Sequence, residues 1–160
     1  MYSTFMDSLD IVASVAEFIH DGPVWTSKDI LELICEWGKL ALEYFQPHPY
    51  TGEDALYTAF ARTLIADIDP ESYISPARKE YEIPVKAMLQ FPNDGDLWRN
   101  PLLSRYQIAM TATSGCRRFF FTKKEYMGLG PPGVIVGDEV ALLFGGPTPY
   151  LLRDDGQGFH

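Results

Sequence analysis

Three charged residues of this sequence could take part in acid–base chemistry: Asp138, Asp67 and Arg118. Asp138 follows a glycine in a turn at the head of a predicted hairpin, and Asp67 lies at the end of a predicted helix. Arg118 lies in a short aromatic segment, 116–122, that is typical of a β-strand. A carboxyl group whose pKa is shifted by burial can exchange a proton with a bound organic molecule. We therefore take these three residues as candidate catalytic residues.

The two neighbouring arginines of this strand, Arg117 and Arg118, should point to opposite faces of the sheet. One of them must then lie on the face that packs against the helices, where a charge needs a carboxylate partner. We expect the inward arginine to be Arg118 and its partner to be Asp67 or Asp138. A purely structural ion pair would explain the same residues, and an aspartate after a glycine is also an ordinary turn former.

Aromatic residues are numerous, at 14% of the chain. This content fits a phenylalanine-rich core, and it also fits an aromatic-lined ligand cavity. In the second case, Trp98, Phe120 and Tyr126 are the candidate substrate-binding residues. Aromatic faces stabilise cationic character in a reacting molecule. Together with the carboxylates, they favour a cyclase or isomerase acting on a small hydrophobic ligand.

No residue pattern indicates a metal or a cofactor. The three histidines, His20, His48 and His160, share no helix face and no metal-ligand spacing. The sequence has no zinc signature, phosphate-binding loop, dinucleotide fingerprint or nucleophile elbow. The two cysteines, Cys35 and Cys116, form no disulfide pattern, and we expect both to be reduced. Any catalysis is therefore expected to proceed without metal or cofactor.

The formal net charge of −9 argues against two classes of partner. Nucleic-acid binding requires clustered lysines and arginines, and an anionic membrane surface repels an acidic protein. The N-terminal ten residues lack the basic and apolar regions of a signal peptide. The apolar stretches are far shorter than the ~20 residues that span a bilayer. We expect a cytoplasmic protein with no nucleic-acid or membrane partner.

The elements that must position the candidate residues are helical in the first part of the chain. Apolar residues recur at helical spacing, and Gly-Pro, Asn-Pro and Asp-Pro pairs mark the boundaries. Asn100 with Pro101 is a typical helix start. A flexible loop is expected at 71–78. Helices are predicted at 9–19, from 26 or 27 to 46, and at 51–67, 84–91 and 101–113.

After Gly115 the pattern changes to strands. Segments 116–122, 139–144 and 149–153 are predicted strands, and the glycine- and proline-rich segment 128–133 is a predicted rigid turn. Helices first and hairpins last predict an α+β fold, with an antiparallel sheet or partial barrel covered by the helices. We expect one domain over 1–160, mainly helical over 1–113 and built of hairpins over 114–160.

The C-terminal motifs together resemble a known family. They are RRFFFT at 117–122, YMGLGP at 126–131, GDEVALLFGG at 137–146 and PYLLR at 149–153, with AFARTLIAD at 59–67 upstream. This order resembles the C-terminal region of fungal heterokaryon-incompatibility (HET) proteins, over about 35–153. The family's N-terminal signalling domain is expected to be missing here. The resemblance therefore does not imply the family's cell-death activity.

Two functions remain open at this point. One is a cofactor-free cyclase or isomerase for a small hydrophobic metabolite in fungal secondary metabolism. The other is a non-catalytic binding or regulatory module related to heterokaryon incompatibility. Family members usually continue with further strands, whereas this sequence ends seven residues after Arg153. We therefore also expect an open sheet edge and a homodimer formed through the C-terminal hairpin.

Overall fold

The computed structural model describes residues 3–15, 27–44, 53–92, 96, 99–143, 148–154 and 156. Within this part of the chain, four α-helices follow one N-terminal strand, and four further strands follow the helices. Part of the helix predicted at 9–19 and the loop around His48 lie outside the described residues. Trp98, His20 and His160 lie outside them as well.

The helices agree with the sequence predictions from Ser27 onward. Their bounds are Ser27–Tyr44 (α1), Glu53–Leu64 (α2), Glu82–Gln90 (α3) and Pro101–Ser114 (α4). The start of α4 is confirmed in detail, because Oδ1 of Asn100 accepts a hydrogen bond from the backbone N–H of Leu102 at 2.9 Å. This contact satisfies one of the free N–H groups of the first helical turn.

The strands form one five-stranded antiparallel sheet that curls into a half-barrel. Their bounds are Ser3–Val15 (β1), Arg118–Thr122 (β2), Met127–Gly130 (β3), Glu139–Leu143 (β4) and Tyr150–Leu152 (β5). The order across the sheet is β3-β2-β1-β4-β5, so β1 is central and β3 and β5 are the edges. The predicted α+β class with an antiparallel sheet is confirmed.

The prediction of a helix at 9–19 is wrong, because residues 3–15 form the central strand. Two irregularities in the pairing of β1 with β2 explain the error. The first lies between Leu9 and Ile11, so Leu9 and Val12 pack in one cluster while Ile11 and Ala13 pack in the other. A β-bulge shifts the face that the following residues present. The bulge therefore puts Leu9 and Val12 on one face at a spacing of three, which imitates the period of a helix.

The segment predicted as a rigid turn at 128–133 is also different, since its first part belongs to β3. The strand pairs with β2 in the register Phe120↔Gly128 and Arg118↔Gly130. Gly128 is required by packing, because a Cβ atom there would collide with the ring of Phe120. Glycines at 128 and 130 resemble turn residues in sequence, yet here they give room to a neighbouring aromatic ring.

The sheet buries apolar residues on both faces. On the outer face Phe119 and Phe121 pack with Trp37 and Phe60 of the helices in the main core. On the opposite, inner face of the half-barrel a smaller cluster is formed by Leu9, Val12, Phe120, Val134, Val140 and Leu151. The alternation of side chains along β2 thus assigns successive residues to two different cores.

Candidate functional site

Asp138 is a buried carboxylate beneath the turn that precedes β4. Its side chain accepts hydrogen bonds from Nε and one terminal nitrogen of Arg153, both at 2.7 Å, and from the N–H of Ile135 at 3.0 Å. Its backbone C=O accepts a bond from Leu9 N–H at 2.7 Å. The residue therefore ties the 134–138 turn to the central strand and to the last strand.

This environment keeps Asp138 ionised. The hydrogen bonds from Arg153 lower the pKa of Asp138, and the Ile135 N–H acts in the same direction against the opposing effect of burial. Both carboxylate oxygens are occupied by donors. A small cavity of about 180 Å³ lies beside Asp138 and Arg153 and is lined by Val134, Leu151 and their neighbours. The geometry is that of a structural cap for the turn.

Arg118 does not pair with either predicted carboxylate. It lies on the inner face of the half-barrel with Phe120, whereas the helices cover the opposite face. One terminal nitrogen donates to the C=O of Val134 at 3.3 Å, and its buried Nε has no hydrogen-bond acceptor among the described residues. The carboxylates of Asp138 and Asp67 are bound by Arg153 and Arg62 instead. The predicted ion pair is wrong because the strand turns Arg118 away from the helices and Asp67, and because Arg153 already binds both carboxylate oxygens of Asp138.

Asp67 closes the C-terminal end of α2. Ala66 and Asp67 both have left-handed backbone conformations, with φ of 52° and 57°. The Asp67 carboxylate accepts bonds from the Ala77 N–H at 3.0 Å and the Ser75 hydroxyl at 3.3 Å, and it lies 3.5 Å from Arg62 Nε. Asp67 therefore holds the 75–77 segment against the helix end, while its side chain stays 41% exposed.

Of the predicted aromatic residues, the two that the structure describes, Phe120 and Tyr126, do not line a cavity with these carboxylates. Phe120 is buried in the inner cluster, and Tyr126 is 39% exposed next to β3. Trp98 lies outside the described residues. Asp138 borders the small cavity, whereas Asp67 borders a separate groove. The predicted catalytic and substrate-binding residues that the structure describes therefore do not form one site.

The groove that contains Asp67 runs between α2 and the edge strand β3 and has a volume of about 880 Å³. This size lies within the range of ligand-binding pockets. Small side chains of α2 form one wall, and β3 with Pro149 forms the other. The lining residues are Ala55, Thr58, Ala59, Arg62, Thr63, Ala66, Asp67, Lys79, Arg117, Met127, Gly128, Leu129 and Pro149.

The groove is locally positive, although the chain as a whole is acidic. Among the residues that the structure describes, Arg62, Lys79 and Arg117 line it, against one carboxylate, that of Asp67. Nε of Arg62 also donates a hydrogen bond to the C=O of Ala77 at 3.1 Å, and Nζ of Lys79 lies 3.9 Å from Oε1 of Glu82. The side chain of Arg117 makes no ion pair within the described part of the chain. It is thus an exposed cation at the groove that a negatively charged ligand could neutralise.

A charged network that the sequence analysis missed lies in the segment predicted as a flexible loop. Asp69 accepts bonds from the N–H groups of Glu71 and Ser72 and from Arg78 Nε at 2.6 Å. Burial alone raises the pKa of Asp69, but these hydrogen bonds outweigh it and lower the pKa to about 2. Arg78 also binds Glu71, which contacts Arg105 of α4. The one available signal was Asp69 followed by Pro70, an Asp-Pro pair typical of turns.

No group of three or more His, Cys, Asp or Glu side chains is arranged to hold a metal ion among the residues that the structure describes. Within the same residues, no helix is long and apolar enough to cross a membrane. Comparisons with protein-family models, with curated proteins and with solved structures found no match. The relationship to HET proteins therefore stays a prediction from the motifs of the sequence.

Proposed function

We propose that this chain is a binding module whose ligand lies in the groove between α2 and β3 and combines an apolar surface with an anionic group. The observation that carries this proposal is the exposed Arg117 beside a groove of about 880 Å³ that is lined by apolar as well as charged side chains. Apolar walls with a few placed charges are the usual composition of ligand sites. This proposal corresponds to the binding-module alternative of the sequence analysis.

Binding fits the geometry better than acid–base turnover. Catalysis by Asp138 and Asp67 together would require both carboxylates near one ligand, and they border different cavities. Asp138 is held ionised with both oxygens occupied, so it is poorly suited to donate a proton. A general acid works best when its pKa lies near the operating pH.

A cyclase or isomerase remains a second candidate, and one observation favours a particular residue for it. Asp67 is the one predicted catalytic residue that lines the groove, and its carboxylate is partly exposed there. Turnover would then depend on Asp67 and not on Asp138 or Arg118. A groove ligand that NMR shows to be chemically unchanged after prolonged incubation with the chain would contradict this activity.

The binding proposal is tested with 1-anilinonaphthalene-8-sulfonate, which carries an apolar body and a sulfonate. Its fluorescence is expected to rise saturably with one site per chain. Arg117→Glu should weaken this binding by about tenfold, because a neighbouring charge changes sign. Ala59→Trp should weaken it by filling the groove.

The matched control is Arg99→Glu, which makes the same change of charge outside the groove. The side chain of Arg99 is 84% exposed and pairs only with the equally exposed Asp96 among the described residues. Its effect on binding should stay within twofold. Equal losses in the Arg117 and Arg99 variants, or no saturable binding at all, would refute the proposed site.

A further inference from the structure

We infer that the occupant of this groove is an extended acidic peptide segment that adds to the edge of β3 as a further strand. The inference rests on the proposed function and specifies the ligand. β3 is the end strand of the sheet, paired with β2 on one side, and its other side borders the groove. Edge strands next to a helix are a known site for peptides that bind by strand addition.

The hydrogen-bond register shows which groups of β3 face the groove. Thr122 N–H donates to Tyr126 C=O at 2.9 Å, so the pair 122 and 126 is hydrogen-bonded. Hydrogen-bonded and non-hydrogen-bonded pairs alternate along an antiparallel ladder. The pair Phe119↔Leu129 is therefore non-hydrogen-bonded. It follows that the N–H and C=O of Leu129 point away from β2, toward the groove.

The shape of the walls suits an extended chain. Ala55, Ala59 and Ala66 on the α2 side have short side chains that leave room for a peptide backbone. Pro149 also lines the groove, and as a proline it has no N–H group that could compete as a donor. The groove is also open to solvent. A strand-like ligand exposes one edge to solvent in this way, whereas a compact molecule prefers an enclosed pocket.

Charge then selects among peptides. Arg117 precedes β2 directly, and the next residue, Arg118, pairs with Gly130. Arg117 therefore lies near the Gly130 end of β3. An aspartate or glutamate of the peptide placed at this end would meet the Arg117 guanidinium, which makes no ion pair with any described residue. The chain as a whole is strongly acidic, so the groove is a local site that attracts an acidic peptide segment. A basic segment gains no attraction there.

In the experiment, heptapeptides from a random phage-displayed library are selected for binding to this protein. Peptides that also bind the Arg117→Glu variant are removed by counter-selection. Enriched peptides should contain aspartate or glutamate and displace 1-anilinonaphthalene-8-sulfonate. Their Kd should rise about tenfold in Arg117→Glu and change less than twofold in Arg99→Glu. Saturation with peptide should slow hydrogen exchange of the Leu129 amide at least tenfold. N-methylation at alternate peptide positions should abolish binding, because it removes the ladder donors.

The outcomes separate the two proposals. If the dye binds at the groove but no peptide is enriched over the Arg117→Glu variant, the peptide inference fails and the proposed function stands. Peptides that bind without protecting the Leu129 amide also refute strand addition. If neither the dye nor any peptide binds in an Arg117-dependent manner, both proposals fail.

Discussion

Replacing Asp138 by asparagine separates a structural from a catalytic role for this residue. The carboxylate is 5% exposed and accepts three hydrogen bonds, two of them from Arg153. Asparagine keeps the shape but removes the charge, and its amide NH2 would face a donor. Hydrogen bonds to charged groups contribute about 1.5–3 kcal/mol each. Because Arg153 is half exposed and regains water, we expect a loss of about 2–3 kcal/mol.

Thermal unfolding followed by circular dichroism measures this loss. For a domain of this size, 1 kcal/mol corresponds to about 2–4 °C, so Tm should fall by roughly 4–12 °C. The matched control is Asp10→Asn, the same change at an exposed position of β1. It should shift the stability by no more than about 0.5 kcal/mol.

The loss in Asp138→Asn should also depend on pH. The pKa of Asp138 is lowered in the folded state by Arg153. Its contribution is therefore fully present above the carboxyl pKa of the unfolded chain and disappears as the pH falls below it. The Tm difference between parent and variant should be constant near neutral pH and shrink below about pH 4. A variant as stable as the parent at pH 7 would refute the structural role and return Asp138 to the list of catalytic candidates.

Four further outcomes are expected. Arg118→Met should keep or raise Tm, because it removes a buried Nε that lacks an acceptor in the described part of the chain; a loss of about 3–5 kcal/mol would instead support the ion pair predicted from sequence. Asp69→Asn should cost about 1–2 kcal/mol at pH 7 after allowance for the exposure of Arg78, and the difference should shrink as the pH falls from about 4 toward the folded pKa of about 2; a difference at pH 2 as large as at pH 7 contradicts this. Gly128→Ala should cost about 1–3 kcal/mol, because the new methyl group displaces the Phe120 ring. Gly133→Ala should leave the stability unchanged, since a Cβ there meets nothing within 4 Å; equal Tm values for the two variants would contradict the packing argument. Light scattering tests the homodimer expected from the β5 edge: a mass that stays near 18.1 kDa on concentration excludes it.

Local signals predicted most of the helices correctly. The start of α4 depends on Asn100 and Pro101, and the course of α1 follows from its apolar spacing, both of which involve residues close in sequence. The strand β1 could not be recognised in this way. Its pattern is set by bulges that exist only because β2 pairs with it from a distant part of the chain. Propensity and periodicity carry no information about such pairing.

The candidate site was predicted less well for the same reason. The sequence identified Asp67 and Asp138 as unusual carboxylates, and both are held by several hydrogen bonds. Which arginine pairs with each carboxylate, however, depends on the face of the strand from which each side chain projects and on where the chain returns at Arg153. The groove itself is formed by α2, β3 and the residue before β5, which meet only in the folded protein. Arg117 was seen as one of a basic pair, and its exposure beside an apolar wall could not be foreseen.

The central position of β1 has a consequence for how the chain folds during synthesis. Residues 3–15 are made early, but both strands that flank them come from 118–143. At typical rates of synthesis this part of the chain follows on the order of ten seconds later. Until then the segment has no partner on either side, while the helices between can already form. The sheet therefore closes late and through distant contacts, which is slow and leaves an aggregation-prone strand exposed.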